Sequence, residues 1–228
     1  MKATGDEKNR ERTAKRISTK ERLLQAGGEV FARYGFRGAT VRRIARRAHA
    51  NVASISYYFG DKQGFYAAVL HYTFSSAKEK YPSDLGLQPE AGGRERLHAF
   101  IRSFLLRILD DGRPAWHGKL MVQEMADPTS ALDRIVEQAI RPLYQQLAFI
   151  IRKLAGDGTD EQAVHLCCLS IMGQCVFYLH SRPVVSRLQK REPGPGDVEA
   201  LAEHITRFSL HAVAGMAGSD STDADRTR

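Results

Sequence analysis

Apolar residues recur at helical spacing along most of the chain, beginning with a stretch between positions 23 and 34. The apolar side chains there lie three or four positions apart, which places them on one face of a helix. Ser18 and Glu21 have the spacing of a capping box and mark the start of this helix, which ends near Gly35. No segment alternates with the two-residue period of a β-strand, so the pattern predicts an all-α protein.

The same spacing predicts further helices after the first one. Their ranges are 41–48, 52–59, 61–80, 94–110, 115–126, 129–155, 160–181 and 197–216. Proline and glycine residues between positions 82 and 93 predict an irregular connection. The first three helices would pack together as a small head, and the later ones would form a helical-bundle C-terminal domain.

The predicted helix at 160–181 is apolar nearly all round, and a helix of this kind is buried on most sides. The last helix, at 197–216, carries an apolar stripe at helical spacing. Two such helices from each of two subunits would form a four-helix interface, so the pattern predicts a homodimer. A thicker core within a single subunit is the alternative.

The helices at 41–48 and 52–59 form a short pair joined by a tight turn. Thr40 and Asn51 are suited to cap them. Val52, Ile55 and Phe59 have the spacing of a packed face in the second helix. The remaining positions carry small, hydroxyl and phenol side chains that can approach base edges or phosphates. These are Ala53, Ser54, Ser56 and Tyr57. An ordinary helical hairpin with a solvated basic face is the alternative.

Charge is concentrated in and just before this helix pair. The chain has 34 Lys and Arg residues against 26 Asp and Glu residues, which gives a formal charge of +8. Of these, 14 basic and 5 acidic residues lie within positions 1–47. Residues 48–228 are therefore close to neutral, with 20 basic and 21 acidic residues. The excess predicts a polyanion partner, which could be DNA, RNA or an anionic membrane. Residues 1–16 lack the apolar face of a membrane-surface helix and are predicted to be a disordered basic arm.

Residues 18–70 resemble the DNA-binding domain of the TetR/AcrR family of transcriptional regulators. The matching segments are residues 20–26, 31–36, 39–41, 44–45, 58–59, 61–62 and 65–66. Residues 51–53 and 57–64 look like the subgroup with a YbiH-type (CecR-like) C-terminal domain, and residues 123–129 and 140–143 are similar to that domain.

The resemblance implies a DNA-binding role for individual positions. Thr40, Arg42 and Lys62 would contact phosphates. The groove-facing side of the recognition helix would consist of Asn51, Val52, Ala53, Ser54, Ser56 and Tyr57. The chain departs from the family at His49, where the turn usually has Gly, and at Ser56, where Tyr or Trp is common. The second departure leaves more of the groove contact to Tyr57.

Such regulators bind a small molecule in the C-terminal bundle. Residues that join an apolar surface to a polar end, or that adapt their shape, are the candidates for that site. They are Phe104, Trp116, His117, Met121, Glu124, Met125 and Gln174. A buried and unpaired Glu124 would be costly, so a cationic or hydrogen-bonding ligand is a hypothesis.

No catalytic motif stands out: the chain has no GxxxxGK loop, GxSxG elbow, CxxC pair or HExxH pair. We therefore expect that the protein is not an enzyme and that it has no catalytic residue, no cofactor and no metal site. Cys167, Cys168 and Cys175 lie in one apolar helix and are interpreted as small core residues. A redox sensor and a metal site at His165 and Cys168 are the alternatives.

Together these patterns predict a ligand-responsive repressor that binds a palindromic operator in double-stranded DNA as a homodimer. Residues 17–62 would bind DNA, residues 63–217 would bind the effector and dimerise, and residues 218–228 would form a polar tail. No signal peptide or bilayer-spanning run is predicted, so we expect a soluble cytoplasmic protein without membrane contact. An architectural DNA-binding protein without an effector is the alternative.

Overall fold

A computed structural model describes residues 17–109, 116–156 and 158–217, apart from the side chains of residues 117, 216 and 217. Regular structure within these residues is helical, which confirms the all-α prediction. The helices are α1 (Thr19–Gly38), α2 (Val41–Arg47), α3 (Val52–Phe59), α4 (Lys62–Lys80), α5 (Gly93–Leu109), α6 (Trp116–Ala126), α7 (Ala131–Ile135), α8 (Arg141–Ala155), α9 (Glu161–His180), α10 (Arg182–Gln189) and α11 (Val198–Ala217). The predicted arm at 1–16 and tail at 218–228 lie outside the described residues.

Local sequence signals explain where α1 begins and where it is interrupted. Ser18 Oγ accepts a hydrogen bond from the backbone N–H of Glu21, and the Glu21 carboxylate accepts one from the backbone N–H of Ser18. This is the predicted capping box. At Gly35 the backbone has φ 68° and leaves the helical path, and a last turn continues to Gly38. A positive φ of this kind favours glycine, which lacks a Cβ.

The helix predicted over 129–155 runs without a break from residue 131 to 155 in the structure, but it is not α-helical throughout. A π-helical turn at Val136–Ile140 separates α7 from α8. Pro142 follows it, and its ring cannot donate a backbone hydrogen bond and clashes with the carbonyl four residues earlier. Widening the turn before the proline relieves that clash. The helix α10 was not predicted at all.

The buried side chains form two clusters. The first contains the apolar faces of α1 to α4, and Leu120, Ala131 and Ile135 from the C-terminal part join it. The second fills the space among α5, α8, α9 and α11. Because residues after position 80 contribute to the first cluster, the head has no core that is separate from the rest of the chain.

Two glycines in α1 allow neighbouring helices to approach closely. A Cβ atom at Gly27 would lie 2.6 Å from Phe65 Cζ of α4, and one at Gly28 would lie 2.2 Å from a ring carbon of Trp116 in α6. Both distances are too short for any side chain. Helices α4 and α6 therefore pack directly on the backbone of α1.

The apolar helix α9 is only partly covered within one chain. Val164, Cys168, Ile171 and Cys175 are buried, whereas other large apolar side chains are about half exposed. The latter are Leu166, Leu169 and Phe177. By length and composition alone α9 could cross a membrane, so the expectation that the chain has no run able to span a bilayer was wrong. Of the most apolar window of α9, 28 % is buried within the chain.

The cysteines of α9 are thiols in an apolar environment. Burial raises the pKa of Cys168 and of Cys175 to about 12, so neither forms the reactive thiolate at neutral pH. His165 Nδ1 lies 2.8 Å from the Tyr144 hydroxyl. Among the described residues, no group of three or more His, Cys, Asp or Glu side chains is placed to hold a metal ion.

The turn between α2 and α3 bends at His49, which has φ 50°. This is the left-handed region, where an L-residue with a Cβ is disfavoured by about 1–2 kcal/mol. The position is the one at which the sequence departs from the glycine that is usual in the family. The structure keeps the tight turn and places the strain on His49.

We expect His49→Gly to raise the free energy of unfolding by about 0.5–1 kcal/mol, because the strain is removed and part of the gain is offset by the greater freedom of unfolded glycine. Urea unfolding at one fixed protein concentration measures it. Gln145→Gly, in an exposed turn of α8, is the matched control and should lower that free energy by about 1 kcal/mol. A decrease at His49 equal to that at Gln145 would contradict the interpretation.

Candidate DNA interface and ligand cavity

Helix α3 presents most of its surface to solvent. Asn51 caps it by accepting a hydrogen bond from the backbone N–H of Ala53 at 2.9 Å, as the sequence predicted. Ile55 is buried, and the ring of Phe59 lies 4.7 Å from that of Phe65. Val52 is 39 % exposed, so its predicted place on the packed face was wrong. The packed face of this two-turn helix is formed by Ile55 and Phe59.

The side chains proposed to read DNA lie on the exposed part of α3. Tyr57 is 83 % exposed and its ring is held edge-on by Tyr58 at a centroid distance of 5.0 Å. Ala53 and Ser56 are also exposed, and Ser54 is half-buried. Tyr57 is therefore the most exposed of the large side chains of α3, ahead of Tyr58 at 42 %.

The starts of α2 and α4 lie next to each other. Thr40 Oγ1 accepts a hydrogen bond from the backbone N–H of Arg43, and Arg42 is exposed beside it. Lys62 Nζ donates to the carbonyl of Arg37 at 3.3 Å and lies 4.8 Å from the Phe36 ring. Since Arg37 precedes Thr40 by three residues, the cationic groups of both helix starts are brought to one region of the head.

Glu124, in α6, is buried and fully paired. One carboxylate oxygen accepts a hydrogen bond from the Tyr66 hydroxyl at 2.8 Å. The other accepts from the backbone N–H and the hydroxyl of Thr129, each at 2.9 Å. Burial and this bond to Glu124 raise the pKa of Tyr66, so its phenol remains a neutral donor. The hypothesis of a cationic ligand at an unpaired Glu124 therefore loses its premise.

Helix α6 is fastened to α1 at further points. The Trp116 ring lies against Gly28, and Gln123 Nε2 donates to the carbonyl of Ala32 at 3.1 Å. At the start of α4, the side chains of Gln63 and Ser130 are hydrogen-bonded. The head is thus held through α6 and through the start of α7.

A cavity of about 330 Å³ lies among α4, α5, α6, the π-helical turn, α8 and α9. Phe104 and Met121, two of the predicted effector residues, line it. Trp116 and Glu124 belong instead to the contact between α6 and the head, and Met125 is 37 % exposed. Gln174 donates to the Ser170 carbonyl within α9 at 3.4 Å, and the side chain of His117 lies outside the described part of the chain.

Sequence reasoning missed the polar side of this cavity. His71, Ser75 and Lys78 lie on one face of α4, and Gln138 and Gln146 face them from the π-helical turn and α8. The spacing of i, i+4 and i+7 in α4 was a detectable signal, but nothing in the sequence indicated that this face meets a cavity.

A second, more open groove of about 460 Å³ lies on the head side of the same elements. It shares five lining residues with the cavity, and head residues such as Lys20, Leu24 and Phe59 form its other wall. The shared residues are His71, Phe74, Ser75, Gln138 and Ala139. Helix α4 and the π-helical turn therefore separate the cavity from the head.

Comparison with protein families matches both parts of the chain. Residues 23–69 match the family described as bacterial regulatory proteins, tetR family. Residues 93–213 match the family described as HTH-type transcriptional dual regulator CecR, C-terminal domain. The two matches agree with the resemblance stated from the sequence.

Curated relatives cover most of the chain. The HTH-type transcriptional dual regulator CecR of Shigella flexneri is 28 % identical over 180 residues, covering 73 % of this chain and 78 % of its own. The HTH-type transcriptional repressor NicS of Pseudomonas putida is 27 % identical over 207 residues, covering 87 % and 92 %.

Solved structures share the fold. The regulator FadR of Bacillus subtilis in complex with stearoyl-CoA has a TM-score of 0.65 at 18 % identity, covering 84 % of this chain and 97 % of its own. AibR in complex with isovaleryl coenzyme A and operator DNA has a TM-score of 0.62 at 15 % identity, with coverages of 84 % and 97 %.

We expect Tyr66→Phe to lower the free energy of unfolding by about 1–3 kcal/mol, because one oxygen of the buried Glu124 carboxylate loses its donor. Thermal or urea unfolding at fixed protein concentration measures the change. Tyr57→Phe removes the same hydroxyl from an exposed ring and should change stability by less than about 0.5 kcal/mol. Equal effects of the two substitutions would contradict a structural role for the buried hydrogen bond.

Proposed function

This chain belongs to the TetR family of DNA-binding transcriptional regulators and has a CecR-type C-terminal domain, and we propose that it is a repressor that binds a palindromic operator as a homodimer and is released by a small-molecule effector. In this proposal residues 17–62 bind DNA, and residues 63–217 bind the effector and form the dimer. The protein acts in the cytoplasm and has no catalytic role.

The exposure of Tyr57 on a helix that also exposes the small residues Ala53 and Ser56 carries the DNA-binding assignment. A helix that enters the major groove needs close backbone approach and side chains that reach base edges, and α3 combines the two. Thr40, Arg42 and Lys62 supply phosphate contacts beside it, and Asn51, Val52, Ala53, Ser54 and Ser56 complete the groove-facing surface.

A dimer accounts for the apolar surface left open on α9 and α11. Leu166, Leu169 and Phe177 form a stripe along α9, and Phe208 is 59 % exposed on α11. Gly173 lies within the stripe, and beyond its own stretch of helix no atom of the described residues comes within 4 Å of its Cβ position, so a partner helix could approach there. Exposed apolar surface of this extent supports a subunit interface.

Effector control follows from the elements that surround the cavity. Helices α4 and α6 line it, and both contribute residues that hold the head. An effector that prefers a state in which these helices have shifted would displace the two recognition helices from their half-sites. It would lower operator affinity by the ratio of its affinities for the two states. The repressor name of NicS and the coenzyme A ligands of FadR and AibR support this proposal.

An architectural DNA-binding protein without an effector is the second candidate. It would use the same basic head, but the cavity at its junction with the C-terminal helices would have no role. Footprinting on genomic fragments selected by the purified protein separates the two. A regulator protects a defined palindrome, whereas an architectural protein protects DNA without one.

We expect Tyr57→Ala to weaken binding to the selected operator more than binding to random DNA, because the variant can no longer touch a base edge. Lys62→Ala should weaken both similarly and should flatten the dependence of log K on log salt by about 0.9 for each phosphate that is no longer neutralised. Salt titrations of both DNAs by fluorescence anisotropy measure these effects. Lys153→Ala, on the exposed side of α8, is the control. An equal weakening on both DNAs for Tyr57→Ala would remove its base-reading role.

We expect Leu169→Glu or Phe208→Glu to convert the dimer into monomers, because a charge would be buried at the interface without a partner. Sedimentation velocity measures the state, and operator affinity should fall with it. Gln145→Glu adds the same charge to α8 and should leave the dimer intact. A wild-type protein that sediments as a monomer at micromolar concentration would refute the dimer.

A further inference from the structure

The cavity has an apolar floor and a polar mouth. Its half-buried lining includes Phe74, Phe104, Met121 and Leu143. Apart from Pro142, the exposed side chains of its lining are polar, and they come from α4 on one side and from the π-helical turn and α8 on the other. They are His71, Ser75, Lys78, Gln138 and Gln146. A ligand that matches this lining is apolar at one end and polar at the other.

The charge of the lining has one sign. Lys78 and Arg107 are its basic residues besides His71, and no Asp or Glu of the described chain contributes to it. Lys78 has no ion-pair partner among the described residues, and Arg107 donates to the Tyr81 carbonyl and to Ser83 Oγ. A cationic ligand would meet these positive groups without any carboxylate to offset them.

Acidic residues lie nearby but outside the cavity. Glu79 and Asp84 line a separate, open groove that shares Ser75, Lys78 and Gln146 with the cavity mouth. Both acids are exposed, so solvent screens their effect on a group held inside the cavity. Glu124 is closed off by Tyr66 and Thr129.

We propose that the effector of this cavity is a compact apolar molecule that ends in a single acidic group such as a carboxylate. Its apolar body would pack on Phe104 and Met121, and its acid would lie at the mouth beside Lys78, where the amides of Gln138 and Gln146 can donate hydrogen bonds. This inference rests on the proposed function for the role of the cavity and adds the chemical class of the ligand.

A matched series of probes tests the inference on the full chain. Hexanoate, octanoate and decanoate, and the alcohol and the amine of each chain length, differ at constant length only in the charge of the end group. Calorimetric titration should show that at least one acid binds at least about fivefold more tightly than its alcohol, and that the amine binds more weakly than both. Added salt should reduce the preference for the acid.

The Lys78→Gln variant tests whether the preference for acids over alcohols arises at the mouth of the cavity. It should reduce the ratio of acid to alcohol affinity toward one and leave alcohol binding unchanged, because the aliphatic stem is largely kept. Lys153→Gln, which removes the same charge from α8 outside the cavity, should bind like the wild type. An alcohol or amine that binds as tightly as its acid, or no binding by any acid up to millimolar concentration, would overturn the inference.

Operator binding in the presence of each probe separates this inference from the proposed function. Acids that bind in the expected order but do not release DNA would contradict the effector mechanism and leave the ligand class standing. Release of the operator by an alcohol or an amine, without a preference for acids, would leave the mechanism standing and refute the ligand class.

Discussion

The buried carboxylate of Glu124 is the constraint on which the junction between the two parts of the molecule depends. A buried carboxyl group must be hydrogen-bonded, because leaving one of its oxygens without a partner costs more than the net gain of an ordinary hydrogen bond. Here the donors come from the α4 residue Tyr66 and from Thr129, beyond the end of α6. Satisfying the carboxylate therefore fixes α6 relative to α4.

The close packing on α1 reinforces the same arrangement. Gly27 and Gly28 let α4 and α6 reach the backbone of α1, so both helices rest on the same support. The cavity lies on the other side of this support, where α4 and α6 also contribute to its lining. Any ligand that changes the spacing of these two helices must strain the hydrogen bonds of Glu124 or the packing on Gly28.

Much of this architecture could be predicted from the sequence because it is local. The capping box at Ser18, the caps at Thr40 and Asn51 and the amphipathic period of α1 depend on residues close together in the chain. The departures depend on distant residues or on backbone geometry. A single π-helical turn is too short to leave a periodic pattern in the sequence, and Val52 is exposed because the packed face of the two-turn α3 is limited to Ile55 and Phe59.

The cavity could be predicted only in part for the same reason. Phe104 and Met121 could be predicted as lining residues because they are apolar or adaptable side chains in the C-terminal helices. Residue type alone does not show which aromatic or acidic side chains are already packed or hydrogen-bonded within the protein. Trp116 packs on Gly28 of α1, and Glu124 is hydrogen-bonded to Tyr66 of α4 and to Thr129. In the sequence, the polar residues of α4 have the pattern of a solvated helix face, because Gln138 and Gln146 lie opposite them only in the folded chain.

The energetic scale of the junction explains how a small ligand could control the position of the head. Coupling free energies between an effector and DNA are typically about 1–3 kcal/mol, a change in affinity of about 5- to 150-fold. Removing the Tyr66 donor from Glu124 involves a free energy of the same size. An effector therefore does not need to dismantle the interface between the head and the C-terminal helices. It needs only to favour, by that amount, a state in which one such hydrogen bond has been exchanged, and the cavity adjoins the helices that make it.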